Sequence, residues 1–451
     1  MGKDEKPMRD SDYDSMLGRM SAVSSSASRP GRASARQHMT SFENHPLYRQ
    51  MLAQRNFGSK VRFPDPHYRL HDGAAGATTI IDGVERLNFA SYDYLGLNRH
   101  PLILDAADRA TRTFGSSVSA SRISAGERRV HGDLEAALAG LYEADAAIAF
   151  VSGHAGVLST LATLMGPKDL IIFDALSHNC IVMGAKLCGA ARRSFPHNDL
   201  DAVESILEDE RDRFERVMIV TEGLFSMDGD CPDLARLIDI KRRHAAVLMV
   251  DDAHGLGVLG ATGRGVFEQQ GVRPTDVDLW VGTLSKALVS CGGYVAASHV
   301  VVDLLKHHAP GFVYSVGLPA GVAVAATTAI EIMRREPERV ALVQARSRAF
   351  FELARSRGLD VGTSGGLGII PVMVGDPVRT VALTQRLFER NINAFPVLPP
   401  GVPDGSARVR FFISAAHAPE QIDQAISVLV EELAAVQSIS LDHLLNSHGK
   451  V

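Results

Sequence analysis

Val247-Leu248-Met249-Val250-Asp251-Asp252-Ala253-His254-Gly255 is an apolar run that ends abruptly in two carboxylates and a histidine. A short β-rich run with polar residues at its carboxyl end reads as a strand of a parallel sheet, because ligands of such sheets bind just outside those ends. Runs of the same kind occupy residues 147–151, 170–173, 217–221, 279–281 and 294–297, each followed by turn chemistry or a helical pattern. Their alternation with helices predicts an α/β fold built on a large, mainly parallel sheet with helices on both faces.

Past about Pro337 the texture changes to a long helical pattern through Arg357, a strand over 369–374, a helix over 378–390, a strand over 409–413 and an amphipathic helix from Pro419. This predicts a smaller α+β domain. The division expected is a disordered leader over 1–42, an arm and small-domain segment over 43–98, a large domain over 99–335, a small domain over 336–437 and a tail over 438–451. The leader is expected to be disordered because it is Ser-rich, polar and unpatterned.

Across 451 residues, 45% hydrophobic and 22% charged side chains place the chain with ordinary globular proteins. A formal net charge of −5 gives no broad basic field, which argues against a nucleic-acid binder. The four cysteines show no CxxC spacing, so reduced thiols are expected, with no disulfide framework and no metal site. The most apolar stretch, 316–330, is interrupted by Gly317, Pro319 and Gly321 and is too short to span a bilayer; a buried helix is expected there. With no apolar leader segment, a cytoplasmic location is expected.

Three strand ends carry chemistry. Asp251 and Asp252 either serve a cleft or cap the following turn. In Val281-Gly282-Thr283-Leu284-Ser285-Lys286 a strand ends in hydroxyl residues and a lysine, with Gly292-Gly293 close behind. A lysine there is either simply solvated or is a desolvated amine beside phosphate donors, which suits Schiff-base chemistry. In Val151-Ser152-Gly153-His154-Ala155-Gly156 a strand passes through glycine into a helix whose first N–H groups can hold a phosphate, although a lone glycine turn carries little weight.

Taken with Ser91-Tyr92-Asp93-Tyr94-Leu95-Gly96-Leu97, Thr221-Glu222-Gly223-Leu224-Phe225-Ser226-Met227-Asp228-Gly229 and Arg410-Phe411-Phe412-Ile413-Ser414-Ala415-Ala416-His417, the chain resembles the α-oxoamine synthase family of fold-type I pyridoxal-phosphate (PLP) enzymes. That family includes serine palmitoyltransferases and 8-amino-7-oxononanoate synthases, and the similarity covers roughly residues 45 to 435. The resemblance implies that Lys286 carries PLP as a Schiff base and acts as the base. Asp251 is implied to pair with the ring nitrogen, His254 with the ring hydroxyl, and Ser226 to lie beside the ring. His178 is implied to stack on the ring; the alternative is a locally satisfied helix-start histidine. Phosphate contacts fall to Gly153, His154, Thr283 and Ser285, and to Ser315 delivered from the neighbouring subunit, which implies a homodimer with shared sites. From the residues alone, Ser315 equally caps the apolar helix after it. Arg410 is implied to grip the substrate carboxylate, with Arg408 as competitor on the same strand face, and Tyr92 to contact substrate.

The activity implied is a decarboxylating condensation of an amino acid with an acyl thioester. Tyr92 and the segment 399–412 resemble serine palmitoyltransferases and lipid or polyketide synthases, so a long acyl chain on coenzyme A or an acyl carrier protein is the expected donor. The alternatives are an 8-amino-7-oxononanoate synthase of biotin synthesis and a catalytically silent partner subunit, against which Lys286 argues.

Overall fold

The computed structural model describes residues 40–52 and 66–440. Apart from their inner ends, the leader expected over 1–42 and the tail expected over 438–451 lie outside the described residues. After a hairpin of β1 (Thr78–Ile81) and β2 (Val84–Asn88), helices α1 (Pro101–Phe114) and α2 (Arg129–Tyr142) lead into the main sheet. Its elements follow as β3 (Ala146–Phe150), α3 (Gly153–Leu164), β4 (Leu170–Asp174), α4 (Asn179–Leu187), β5 (Ala191–Phe195), α5 (Leu200–Glu210) and β6 (Val217–Glu222). They continue as α6 (Leu234–Arg243), β7 (Val247–Asp251), α7 (Val266–Gln270), β8 (Leu279–Thr283) and β9 (Gly293–Ala297).

The sheet has seven strands in the order β3-β9-β8-β7-β6-β4-β5. Neighbours from β8 to β5 pair in parallel, and β9 alone runs against both of its neighbours. Strand periodicity divides the side chains between two cores. In β7, Leu248 and Val250 enter one core and Met249 the other; in β8, Trp280 opposes Leu279 and Val281 in the same way. Both sheet faces are therefore covered by helices, and the central strands release polar groups at their ends.

Strand β5 has no apolar signature, since Ala191-Arg192-Arg193-Ser194-Phe195 lies at the sheet edge and buries only Phe195 fully. Its edge is held instead by a two-pronged ion pair of Arg193 with Glu210, at 2.7 Å for each contact. Edge position tolerates such polarity, and for that reason hydrophobic patterning does not find the strand.

Helices α8 (His299–His308), α9 (Pro310–Val313), α10 (Ala320–Arg335) and α11 (Glu338–Ser356) lead to the small domain. The helix expected from residue 316 begins at Ala320, because Pro319 occupies its N-cap position, and Val316 before it is 49% exposed. Beyond α11 come β10 (Ile369–Gly375), α12 (Pro377–Glu389), β11 (Ile392–Asn393), β12 (Phe395–Val397), β13 (Ala407–Phe412) and α13 (Pro419–Ser438). β10, β13 and β12 form an antiparallel sheet, and β11 joins β2 in parallel. On β13, Val409 and Phe411 enter the small-domain core with Phe350, Leu383 and Leu429. Arg408 and Arg410 consequently point the opposite way, toward the large domain.

His417 fastens this arrangement. Its ring stacks on Phe89 at 4.4 Å, Nδ1 accepts from Ser414 N at 2.9 Å and Nε2 lies 3.2 Å from the carbonyl oxygen of Asn88. This pattern fixes the neutral tautomer, and burial pushes the ring down to about 4 from 6.5. Because the folded value lies below the unfolded one, the contribution to stability is complete above 6.5 and is lost as the pH falls toward 4. Over that window it amounts to about 3 kcal/mol. His417→Gln should remove about one proton from the pH dependence of unfolding below neutrality, measured by denaturant titration across that range.

Candidate active site

Three parallel strands place their ends side by side. Glu222 closes β6 directly opposite Asp251 at the end of β7, and Asp251 is in register with Val281 of β8. Beyond β8 the chain folds into a compact connection in which Leu284 N donates to Gly292 O at 2.9 Å and Val289 N to Lys286 O at 2.9 Å. The Lys286 amine is thereby turned back toward both carboxylates. Burial pushes it down to about 8, against the pull of Asp251 and Glu222 in the other direction. Burial raises the Asp251 carboxyl, opposed by Lys286 and His178, and raises Glu222 to about 8 with Asp251 adding to the effect. Among the described residues, one hydrogen bond reaches the Asp251 side chain, from Ala253 N at 3.1 Å.

His178 caps α4. Its Nδ1 accepts from Cys180 N at 3.3 Å and lies 2.9 Å from Cys180 Sγ, while its own backbone N–H donates to Glu222 Oε1 at 2.6 Å. Burial pushes the imidazole below its usual range, so it is neutral. Both readings of this residue meet here: it is satisfied at a helix start, and it also faces the Asp251 and Lys286 charges. His254 is buried with Nδ1 at 2.7 Å from the Tyr94 hydroxyl, and burial holds it well below its ordinary range. Tyr92, 39% exposed, stands edge-on to His254 and to Phe412, and the Lys286 amine lies 5.9 Å from its ring centre.

A second cluster opens at the start of α3. Thr283 Oγ1 lies 2.7 Å from Ser285 Oγ, and a Cβ at Gly153 would lie 3.3 Å from the Thr283 hydroxyl. Backbones approach so closely here that a Cβ at Gly293 would lie 2.3 Å from Gly153 Cα, which explains the need for glycine. The N–H groups of the α3 N-terminus, the paired hydroxyls and the buried lysine fit a phosphate-bearing aromatic group. His154 is exposed, edge-on to His178 at 6.2 Å.

The two arginines of β13 differ in what they touch. Arg408 forms an ion pair with Asp228 and also donates to Met227 O at 3.2 Å and Ser406 O at 2.9 Å. Among the described residues Arg410 has only neutral hydrogen-bond partners, donating to Ser226 O at 2.7 Å, with Met227 Sδ at 3.2 Å and the Tyr92 side chain also beside it, and its Nε is buried without a partner. The unspent charge is therefore on Arg410. Ser226 takes part through its carbonyl. Ser315 lies between α9 and α10, half-buried and with no side-chain hydrogen bond among the described residues, and the structure does not bring it to the other residues within one chain.

Glu222, Tyr94 and Phe412 were not singled out from the sequence, although all three lie inside the quoted motifs. Glu222 at a strand end before Gly223 was the available signal. Among the described residues there is no cluster able to hold a metal, no helix long and apolar enough to cross a membrane, and all four cysteines are unpaired.

With this geometry in view, the family model described as aminotransferase class I and II matches residues 84–429. The 8-amino-7-oxononanoate synthase of Geobacter metallireducens is 40% identical over 360 residues, covering 79% of this chain and 91% of that protein. Serine palmitoyltransferase of Sphingomonas wittichii superposes with a TM-score of 0.82 at 30% identity, over 86% of this chain and 98% of that one. For 8-amino-7-oxononanoate synthase of Francisella tularensis the TM-score is 0.68 at 25% identity, over 78% and 98%. Related serine palmitoyltransferase structures carry PLP.

The arginine contacts predict unequal effects on stability. Arg408→Ala should cost about 3 kcal/mol by leaving Asp228 without its cation. Arg410→Ala should cost about 1 kcal/mol, because the group it leaves behind is a carbonyl. Denaturant unfolding of the two variants measures the order, and a larger loss from Arg410→Ala would contradict it.

Proposed function

Because the chain belongs to the α-oxoamine synthases, PLP-dependent acyltransferases of the class I and II aminotransferase fold, we propose that it condenses alanine with a pimeloyl thioester, releasing carbon dioxide and thiol to give 8-amino-7-oxononanoate. The observation that carries this reading is the 40% identity to a synthase of that name along 91% of its length.

When bound, PLP supplies an electron sink for the negative charge that develops at the amino acid's α-carbon. The residues of this chain do the rest. Lys286 anchors the cofactor covalently and, with its amine pushed down to about 8, takes up and returns the α-proton near neutral pH. Asp251 would meet the ring nitrogen, and a proton held there would add to the counter-charge that Lys286 already gives this buried carboxylate. His178 covers one ring face as a neutral imidazole; His254, with Nδ1 engaged by Tyr94, offers Nε2 to the ring hydroxyl beside Ser226. Gly153, His154, Thr283, Ser285 and the partner subunit's Ser315 receive the phosphate, in a homodimer whose sites are shared. Arg410 clamps the amino acid's carboxylate, and Tyr92 borders the place where the acyl group arrives.

The long-chain donor expected from the sequence keeps one observation in its favour, the higher TM-score to serine palmitoyltransferase than to the Francisella synthase. The small residues after Ser315 add nothing to it. Those residues are packed: a Cβ at Gly321 would lie 2.4 Å from Thr111 Oγ1 of α1, and Ala320, Ala323, Ala325 and Ala326 are buried. They allow two helices to approach and leave no channel between them.

Carbon dioxide release with pimeloyl and palmitoyl thioesters, on coenzyme A and on carrier protein, across alanine, serine and glycine, tests the proposal. Pimeloyl thioester with alanine should turn over fastest; faster palmitoyl turnover with serine would move the assignment to the second reading. Lys286→Ala should abolish turnover and covalent cofactor retention. Arg410→Ala should bind PLP normally while weakening amino-acid binding about a hundredfold, the loss expected for a charge-assisted bidentate contact.

A further inference from the structure

Behind the site, two carboxylates, one at a strand end and one in a loop, share one histidine. His197 Nδ1 lies 3.0 and 3.1 Å from the two oxygens of Asp174, at the end of β4, and Nε2 lies 3.0 Å from Asp230 Oδ2, in the segment after β6. Carboxylates only accept, so both ring nitrogens must carry hydrogen and the ring is an imidazolium. Burial opposes that charge, but the hydrogen bonds to Asp174 and Asp230 prevail and push the ring up to about 10. Two uncharged groups complete the surroundings: the Asn198 amide, 3.3 Å from Nε2, and the edge of the Phe225 ring, with centroids 4.5 Å apart.

Each carboxylate shapes a different wall of the site. Asp174 Oδ1 accepts from Leu176 N at 2.8 Å and its carbonyl from Ser177 N at 3.0 Å, folding the turn that delivers His178. Asp230 O accepts from Phe225 N at 2.9 Å, closing the loop whose Ser226 carbonyl and Asp228 carboxylate seat Arg410 and Arg408. Asp230 Oδ2 also accepts from Thr363 Oγ1 of the small domain at 2.8 Å.

We propose that His197 is a positioning residue for the amino-acid substrate: a single cation ties the turn bearing His178 to the loop seating Arg410, and so sets the separation between the face that covers the ring and the group that grips the carboxylate. The identity of the substrate rests on the function proposed above; the mechanical linkage does not.

The test uses the PLP-loaded enzyme and His197→Leu. Hydrogen exchange should accelerate about tenfold in both 174–178 and 225–230, segments otherwise separate in sequence. The amino-acid KM should rise about tenfold, while the acyl-donor KM stays unchanged. Acceleration in only one segment, or in neither, overturns the proposal, as does acceleration in both with an unaltered amino-acid KM. Where the leucine variant fails to fold, His197→Gln, which keeps a donor toward one carboxylate only, replaces it with the same expectations. If the wild type turns over no amino acid, the proposed function fails, and the exchange data still decide the linkage: coupled loosening upholds it and independent behaviour sinks it.

Discussion

The rest of the structure depends on holding the half-buried Lys286 amine beside Asp251 and Glu222. A buried carboxylate costs several kcal/mol unless charge or hydrogen bonds compensate it, and two such groups on adjacent strands add mutual repulsion. The fold meets this cost in part. Glu222 is satisfied by the His178 N–H and is raised to about 8, while the lysine is lowered to about 8, so the cluster holds its protons loosely near neutrality. Asp251, like Glu222, has a single backbone donor and otherwise relies on the charges around it. A site built this way favours a ligand that brings positive charge to Asp251 and negative charge to the α3 N-terminus, which are the two ends of protonated PLP.

Much of this was legible in the sequence for a physical reason. Strands buried on both faces must be continuous apolar runs, and polar residues at their ends stand out against them. Asp251 and Lys286 were therefore visible from the residues alone, as was the alternation that defines the sheet. β5 escaped notice because an edge strand can carry Arg192 and Arg193, and β11 and β12 because two or three residues are too few for any periodicity. His197 gave no signal at all. Its significance lies in Asp174 and Asp230, which stand 23 and 33 residues away.

The choice between Arg408 and Arg410 shows the same limit. Both occupy one face of β13, so strand periodicity cannot separate them, and chemically they are identical. What separates them lies largely on another domain, where Asp228 is within reach of one guanidinium and the other meets uncharged groups, a carbonyl, a thioether and the Tyr92 side chain. Recognition of a carboxylate is thus set by a loop of the large domain acting on a strand of the small one. Any change in how the domains dock alters the aim of Arg410 before it alters either core.

The same logic constrains the acyl donor. The close contact of α10 with α1 at Gly321 closes the path between those helices, so an acyl chain must leave the site elsewhere. Just before α10, Tyr314 is 86% exposed and Val316 49% exposed, on either side of Ser315. Apolar side chains held in solvent gain stability when a surface covers them, and the partner subunit that would receive Ser315 is such a surface. Covering these residues with a second protomer turns them into a wall of the shared site and leaves the partly open ring of Tyr92, packed against His254 and Phe412, as the boundary facing the incoming thioester. Donor selection would then fall to the neighbourhood of Tyr92 and to whatever a second subunit places opposite it, and the apolar stretch after Pro319 does structural work as a packed helix.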